Sequence, residues 1–451
     1  MQKILLSLTG CMLLVAQPTV SYSQDLLETY AQAVESDPTF ASARSQLLAG
    51  KENIPLAYSY ILPTVDAVGT IAQSQKSIPG TSLEGNGILR DQGYTLNLSQ
   101  PLFNMVAWFG IQQAEQLVDQ AEMVFVASGQ DLIQRVAAAY FGVLNAQDTL
   151  AFTRAEKTAF ERQLEQTKQK YDVGLVAITD VNDAQANYDS AVASEIQADN
   201  ALTSAREALR AITGQWPDEL APLTQDMPLK APEPANDQAW VDAAMEHNPN
   251  LRASAAAMEA SHQATNVEKA EYLPSLALGG SYGRARLGTF NAPLTTYDPM
   301  WTVDLTVTMN LFNGGNTTAS VRQAEYTYQA VKSDFERVQR QTLSDTRNAY
   351  RGVLTAISEV NASNQAVISG LASLESTQAA YDVGTRTSVD LLNSISQLYQ
   401  RKQSYAQSRY NYILGQLQLQ QAVGTLSYGD LEAINGMLEK EPVITVDEKL
   451  N

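Results

Sequence analysis

Tyr171-Asp172-Val173-Gly174-Leu175-Val176-Ala177-Ile178-Thr179-Asp180 and Tyr381-Asp382-Val383-Gly384-Thr385-Arg386-Thr387-Ser388-Val389-Asp390 open on the same four residues, 210 positions apart. The spacing holds on both sides of them. Pro38 pairs with Pro249 and Leu62-Pro63 with Leu273-Pro274 at 211, and Leu102-Phe103-Asn104 pairs with Leu311-Phe312-Asn313 at 209. Val143-Leu144 returns as Val353-Leu354, and Gly214 as Gly424, both at 210. Landmarks in register across so much of the chain mean that one unit is written twice.

Proline then separates the structure types. All sixteen prolines lie outside 102–216 and 300–441, and proline costs ~3 kcal/mol inside a helix. Both windows are therefore free to be long helices, and apolar residues recur in them at three- and four-residue steps: Leu117, Val118, Ala121 and Val124, then Leu391, Ile395 and Leu398. Read as one helix, 104–170 extends about 100 Å at ~1.5 Å per residue. Globular helices rarely run past ~25 residues without a break, so the spacing predicts coiled-coil arms. Each window breaks once, at its Val-Gly. Gly174 and Gly384 suit a helix C-terminus, where φ > 0 is often needed, and Thr179 or Asp180, and Ser388, are candidates to cap the returning helix. The expected organisation is a first repeat over 24–213, a Pro-rich linker over 214–236, a second repeat over 237–424 and a C-terminal segment over 425–451.

Ahead of each hairpin the apolar period drops from 3.6 to 2. Tyr94, Leu96 and Leu98 alternate with Thr95, Asn97 and Ser99. Trp301, Val303, Leu305, Val307, Met309 and Leu311 alternate with Thr302, Asp304, Thr306, Thr308 and Asn310. Weaker strands start at Pro63 and Leu276, with loops at 76–92 and 285–299. Four strands of roughly 10 residues, apolar on one face, fit a membrane β-barrel, in which Tyr94, Leu96, Leu98, Trp301, Val303, Leu305 and Val307 face lipid. Four strands cannot close a barrel, and open edges are not tolerated in lipid. Three chains, giving twelve strands, meet both conditions, and the same symmetry closes the helical hairpins into a cylinder. The fold class expected is α-dominated with a membrane β part, completed as a trimer.

Lys3, the apolar run Ile4–Ala16 and the small residues Ser21-Tyr22-Ser23 read as an export signal over 1–23. Leu8-Thr9-Gly10-Cys11 matches a lipoprotein cleavage box, but the apolar run continues through Met12 to Val15, which favours plain cleavage after Ser23 and a mature chain without cysteine. Loss of Lys3 takes the net charge from -19 to -20. Such acidity argues against nucleic acid, which needs a basic footprint.

At the two Val-Gly breaks the residues resemble a known family. Tyr381–Asn393 is similar to the aperture segment of the outer membrane factor (TolC-type) family, and Tyr171–Val181 to its first-repeat counterpart. Ala406–Leu414 and Ala422–Leu426 resemble the family too, and the likeness covers roughly 25–437. It implies a trimeric outer-membrane β-barrel continued by an α-helical tunnel across the periplasm, opened by untwisting of its helix ends. Drugs or secreted proteins would pass through it, delivered by an inner-membrane pump (RND, ABC or MFS type) through a periplasmic adaptor. By the same resemblance Tyr381 and Arg386 match closed-state fasteners, with Thr179 and Asp180 their partners on the facing helix. Arg386 and Asp180 can form an exposed charge-assisted pair worth ~1 kcal/mol or less. Asp390 matches an acidic aperture position. The second family aspartate is Asn393 here, so one ring of three carboxylates is expected rather than two. Gly174, Leu175, Val176, Gly384 and Thr385 match adaptor-contact points; both glycines also serve as plain helix caps.

An enzyme is not expected. His247 and His262 are the only histidines and have no cysteine or Glu-x-x-His partner, so no metal or cofactor is implied. His247-Asn248-Pro249 aligns with Ser36-Asp37-Pro38, which predicts a cap and turn. A periplasmic adaptor is the alternative from another class, disfavoured because adaptors carry one hairpin and this chain has two.

Overall fold

A computed structural model describes residues 21–76, 87–217, 219–224, 226–286, 298–439 and 442–443. The apolar run of the expected export signal, with Cys11, lies outside the described residues. In chain order the elements are β1 (Ser21–Tyr22), α1 (Leu26–Ser36), α2 (Pro38–Lys51), α3 (Asn53–Ser59), β2 (Thr64–Lys76), β3 (Gly87–Phe103), α4 (Met105–Asp172) and α5 (Ile178–Thr213). The second repeat follows with α6 (Asp237–His247), α7 (Pro249–Ala270), β4 (Ser275–Arg286), β5 (Asp298–Thr308), α8 (Asn316–Asp382), α9 (Ser388–Val423), α10 (Tyr428–Asn435) and β6 (Pro442–Val443).

The two long arms form as their proline-free windows require. α4 has 68 residues and α8 has 67, each about 100 Å long at ~1.5 Å per residue. Asn104 starts α4 by accepting the Ala107 N–H at 3.2 Å, an ordinary N-cap. The paired proline landmarks have the same physical cause: Asp37 and Asn248 are N-caps whose side chains accept from Phe40 and Leu251, with Pro38 and Pro249 in the first turn.

The four long strands form one antiparallel sheet in the order β2-β3-β4-β5, joining the first repeat to the second through β3 and β4. Its outer strands, β2 and β5, are both edges. Register places apolar residues in rows on one face: Val65, Leu98, Gly280 and Val303 lie across from one another, as do Ala67, Leu96, Tyr282 and Trp301. Leu278 pairs with Leu305 and Leu276 with Val307. Asp66, Asn97, Ser281 and Thr302 form a row on the opposite face, where the Ser281 and Thr302 hydroxyls meet at 2.7 Å.

Strand boundaries differ from the sequence reading by a residue or two at the end of β4 and the start of β5, and by more at two places. β3 starts at Gly87, inside the expected loop, because backbone pairing runs on past Tyr94 through Gln92 and Asp91, whose side chains break the alternation but not the ladder. β5 stops at Thr308, short of Leu311. There the chain bends into α8 through Gly314 and Gly315, both at positive φ, leaving Leu311 and Phe312 exposed. The first repeat has no such pair; β3 runs directly to the Asn104 cap, with a register shift between Pro101 and Phe103 that accommodates a proline lacking an N–H.

The main core lies midway along the arms. Leu132, Val136, Tyr140 and Phe141 of α4 pack with Tyr410, Ile413 and Leu417 of α9, Val353 of α8, Leu26 of α1 and Leu431 of α10. The Pro-rich stretch wraps this core and is tied to it by buried polar groups. The Tyr140 hydroxyl lies 2.9 Å from the Ala221 carbonyl and 3.1 Å from that of Gln24. Tyr412 accepts the Lys230 N–H at 2.7 Å, and Arg409 donates to the Thr224 carbonyl. Glu439 N–H reaches Pro222, so the segment after Gly424 packs on the linker and α1. Burial pushes the Tyr140 hydroxyl far above its ordinary range, which keeps it a neutral donor.

Candidate gate at the paired hairpin ends

Both repeated Val-Gly breaks fold into the same C-terminal turn. At the first, Gly174 N–H reaches the Tyr171 carbonyl at 2.9 Å and Leu175 N–H the Lys170 carbonyl at 2.8 Å. At the second, Gly384 N–H reaches Tyr381 at 3.0 Å and Thr385 N–H reaches Ala380 at 2.8 Å. These are Schellman motifs, in which two otherwise orphaned carbonyls are satisfied. The turn needs a left-handed residue, and Gly174 (φ 75°) and Gly384 (φ 79°) supply it without a Cβ penalty.

The returning helices start differently from the sequence expectation and from each other. α9 is capped by Thr387, not Ser388. The Thr387 hydroxyl lies 3.2 Å from Asp390 N, and the Asp390 carboxylate accepts the Thr387 N–H at 3.0 Å and its hydroxyl at 2.8 Å. Ser388, one residue further in, is buried and its hydroxyl has no partner among the described residues. In α5 the N-cap is Ala177, which has no side-chain acceptor, so only half a capping box exists: Asp180 accepts the Ala177 N–H at 3.2 Å. Thr179 is not the cap and lies exposed.

Four helices meet just behind these turns. Phe160 and Leu164 of α4, Ala184 and Ala191 of α5, Tyr381 of α8 and Leu391, Leu392 and Ile395 of α9 form a compact apolar cluster. Tyr381 is only 8% exposed. Its hydroxyl has no hydrogen-bond partner among the described residues, while the Lys170 ammonium stands 4.2 Å from its ring centroid.

The sequence-nominated fasteners therefore sit at one end of the molecule but are not bonded to one another within the protomer. Arg386 lies 3.8 Å from Asp390, four residues on, because that spacing puts both on the same side of the α9 start. Asp180 is engaged with its own helix start. Asn393 is exposed on the first turns of α9. The hydrogen bonds from the Thr387 backbone and hydroxyl, aided by Arg386, hold the Asp390 carboxyl below the ordinary carboxylate range. Val173, Leu175, Ile178, Val383 and Val389 are exposed around the two turns, so the tips present apolar side chains to whatever meets them. At the opposite end of α4 and α8 from these turns, Tyr94, Leu96, Leu98, Trp301, Val303, Leu305 and Val307 share one exposed face of the sheet.

Sequence reasoning missed Lys170 and Thr387. Both were visible as differences between the repeats: Lys170 stands where the second repeat has Ala380, and Thr387 where the first has Ala177. Thr387-Ser388-Val389-Asp390 is also a capping-box pattern with Asp in the acidic place. No helix among the described residues is long and apolar enough to cross a membrane.

Comparison with known proteins fits this geometry. The outer membrane protein TolC of Vibrio cholerae is 38% identical over 93% of this chain and 94% of its own length. TolC of Escherichia coli is 34% identical over the whole chain and 92% of its own length. Among solved structures, the Campylobacter jejuni CmeC outer membrane channel superposes with a TM-score of 0.79 at 15% identity, covering 92% of this chain and 90% of that one. The profile of one family, described as "Outer membrane efflux protein", matches twice, at residues 29–215 and 240–425. The duplicated hairpins, the four-stranded sheet between them and these matches establish that the chain belongs to the outer membrane efflux protein family.

Proposed function

We propose that three copies of this chain assemble into an exit duct through the outer membrane. It passively conducts drugs or secreted proteins handed to it by an inner-membrane pump through a periplasmic adaptor. The observation that carries the reading is the sheet: four strands, apolar along one face, unpaired at both edges, and continuous with arms about 100 Å long. An open edge in lipid leaves a row of unpaired N–H and C=O groups, each costing several kcal/mol. Pairing β5 of one protomer with β2 of the next satisfies both edges, and three copies give a closed barrel of twelve strands with its apolar face to lipid.

In this assembly the hairpin ends converge on the axis. Arg386 is exposed and holds Asp390 only at 3.8 Å, so it is free to reach Thr179 and Asp180 of a neighbour as a fastener between protomers. Three such links, each worth ~1 kcal/mol or less, suit a latch that a docking partner breaks. Three copies of Asp390, kept ionised by Thr387 and Arg386, put a ring of negative charge at the constriction and favour cations. The exposed tips around Gly174, Leu175, Val176, Gly384 and Thr385 are the surface offered to the adaptor.

Stoichiometry tests the assembly. Native mass spectrometry of the full chain extracted from outer membranes in mild detergent should give three copies per particle. Monomers or dimers that retain the fold contradict the proposal.

A further inference from the structure

We infer that Lys170 is a further gating residue: a strut that holds the two hairpins of one protomer together at the closed end. The inference rests on the duct reading above and adds a contact inside each protomer to the links between protomers.

Lys170 belongs to α4 and Tyr381 to α8, so the ammonium-to-ring contact at 4.2 Å joins the first hairpin to the second. Both partners are anchored by the turns they belong to. The Lys170 carbonyl accepts from Leu175, and the Tyr381 carbonyl from Gly384, so neither backbone can shift without undoing a Schellman turn. The ring is desolvated: Tyr381 is packed in the apolar cluster with Phe160, Leu164, Leu391 and Leu392. Its hydroxyl is buried with no partner among the described residues, which leaves the ring face as the part of Tyr381 that meets Lys170. A cation over a partly desolvated aromatic face is attracted by the ring quadrupole.

The contact is also one-sided. The repeat equivalent of Lys170 is Ala380, which cannot make it. Each protomer thus has one such strut, from the first hairpin to the second. Any opening that swings α8 and α9 away from α4 and α5 must break it, together with the burial of the Tyr381 ring.

The test is single-channel recording of full-length trimers in planar bilayers. Lys170→Gln should raise the open-to-closed ratio by about two- to five-fold per protomer, the range of a partly exposed cation–π contact, and Lys170→Arg, which keeps a cation over the ring, should not. In a Tyr381→Phe background, where the ring remains, Lys170→Gln should act as it does in the wild type. In a Tyr381→Leu background it should add nothing. The inference is overturned if Lys170→Gln leaves gating unchanged, if Lys170→Arg behaves like Lys170→Gln, or if the effect persists undiminished without the ring. Should Tyr381→Leu fail to assemble, the Gln and Arg variants compared in the Tyr381→Phe background decide alone. Channels that form normally but ignore Lys170→Gln remove only the strut. Wild-type trimers that form no channel remove the duct reading, and the strut's gating role with it.

Discussion

Arginine placed at successive positions of β5 should trace a depth profile. The strand has eleven residues, Asp298–Thr308, which is about 36 Å of chain at ~3.3 Å per residue. At a tilt of ~40° that is about 28 Å of depth, close to the ~25 Å apolar band of an outer-membrane barrel. Val303 is the sixth residue and therefore lies at mid-depth, in the row with Val65, Leu98 and Gly280. Leu305 lies about 5 Å and Val307 about 10 Å nearer the helices by the same geometry. Val303→Arg should cost ~2–4 kcal/mol per protomer, and Val307→Arg only ~0–1, with Leu305→Arg between them. Thr302→Arg, at the depth of Val303 but on the polar face, loses one exposed hydroxyl contact with Ser281 and should cost less than ~1 kcal/mol. The assay is urea unfolding of the protein reconstituted in lipid vesicles, read as the free energy per protomer. A soluble sheet would tolerate all four within about 0.5 kcal/mol. Equal costs at Val303 and Thr302, or no fall from Val303 to Val307, would refute the assignment of faces.

The latch predicts that Arg386→Ser combined with Tyr381→Phe raises single-channel conductance, and unchanged conductance would remove these residues from the gate. Asp390→Asn should lower cation selectivity and block by polyvalent cations without preventing assembly, whereas Asn393→Asp should tighten block; reversal potentials decide both. Because the folded pKa of Asp390 is depressed, its charge and its cap to Thr387 should persist through the ordinary carboxylate range and disappear only as the pH falls through that lowered value, so selectivity lost above that range would contradict the local hydrogen-bond account. Asp37 is a buried N-cap bonded to Arg135 at 2.7 Å; burial works against its charge, but Arg135 and the Phe40 N–H outweigh that and hold its carboxyl low. Asp37→Ala should therefore cost ~1–2 kcal/mol above pH 4, with the difference from wild type shrinking in acid, measured by denaturant unfolding.

Elements governed by local rules were readable in the sequence. The long arms follow from the placement of sixteen prolines, and the turns at Gly174 and Gly384 from a requirement for positive φ. The apolar rows of the sheet follow from a period of two at 94–98 and 301–307. What escaped were features set by tertiary partners. The end of β5 is fixed by how Gly314 and Gly315 redirect the chain, not by the alternation, which runs on to Leu311. The cap of α9 was misplaced by one residue because Ser388 and Thr387 are equivalent as cap formers, and only packing buries Ser388 and frees Thr387. The linker's hold on the core rests on Tyr140 and Arg409 meeting the carbonyls of Ala221 and Thr224; main-chain acceptors in an irregular stretch leave no trace in residue type. At the gate, the family resemblance pointed to Tyr381 and Arg386 but passed over Lys170, whose significance lies in having no counterpart in the second repeat.

The central claim, that this chain forms a gated pore continuous from the outer membrane through the helical arms, is tested most directly by current through single purified trimers in a planar bilayer. The account predicts discrete, long-lived, cation-selective channels of small conductance that enlarge when Arg386 and Tyr381 are replaced together. Insertion of intact trimers without discrete conductance, or large anion-selective pores indifferent to both Asp390 and Arg386, would contradict it.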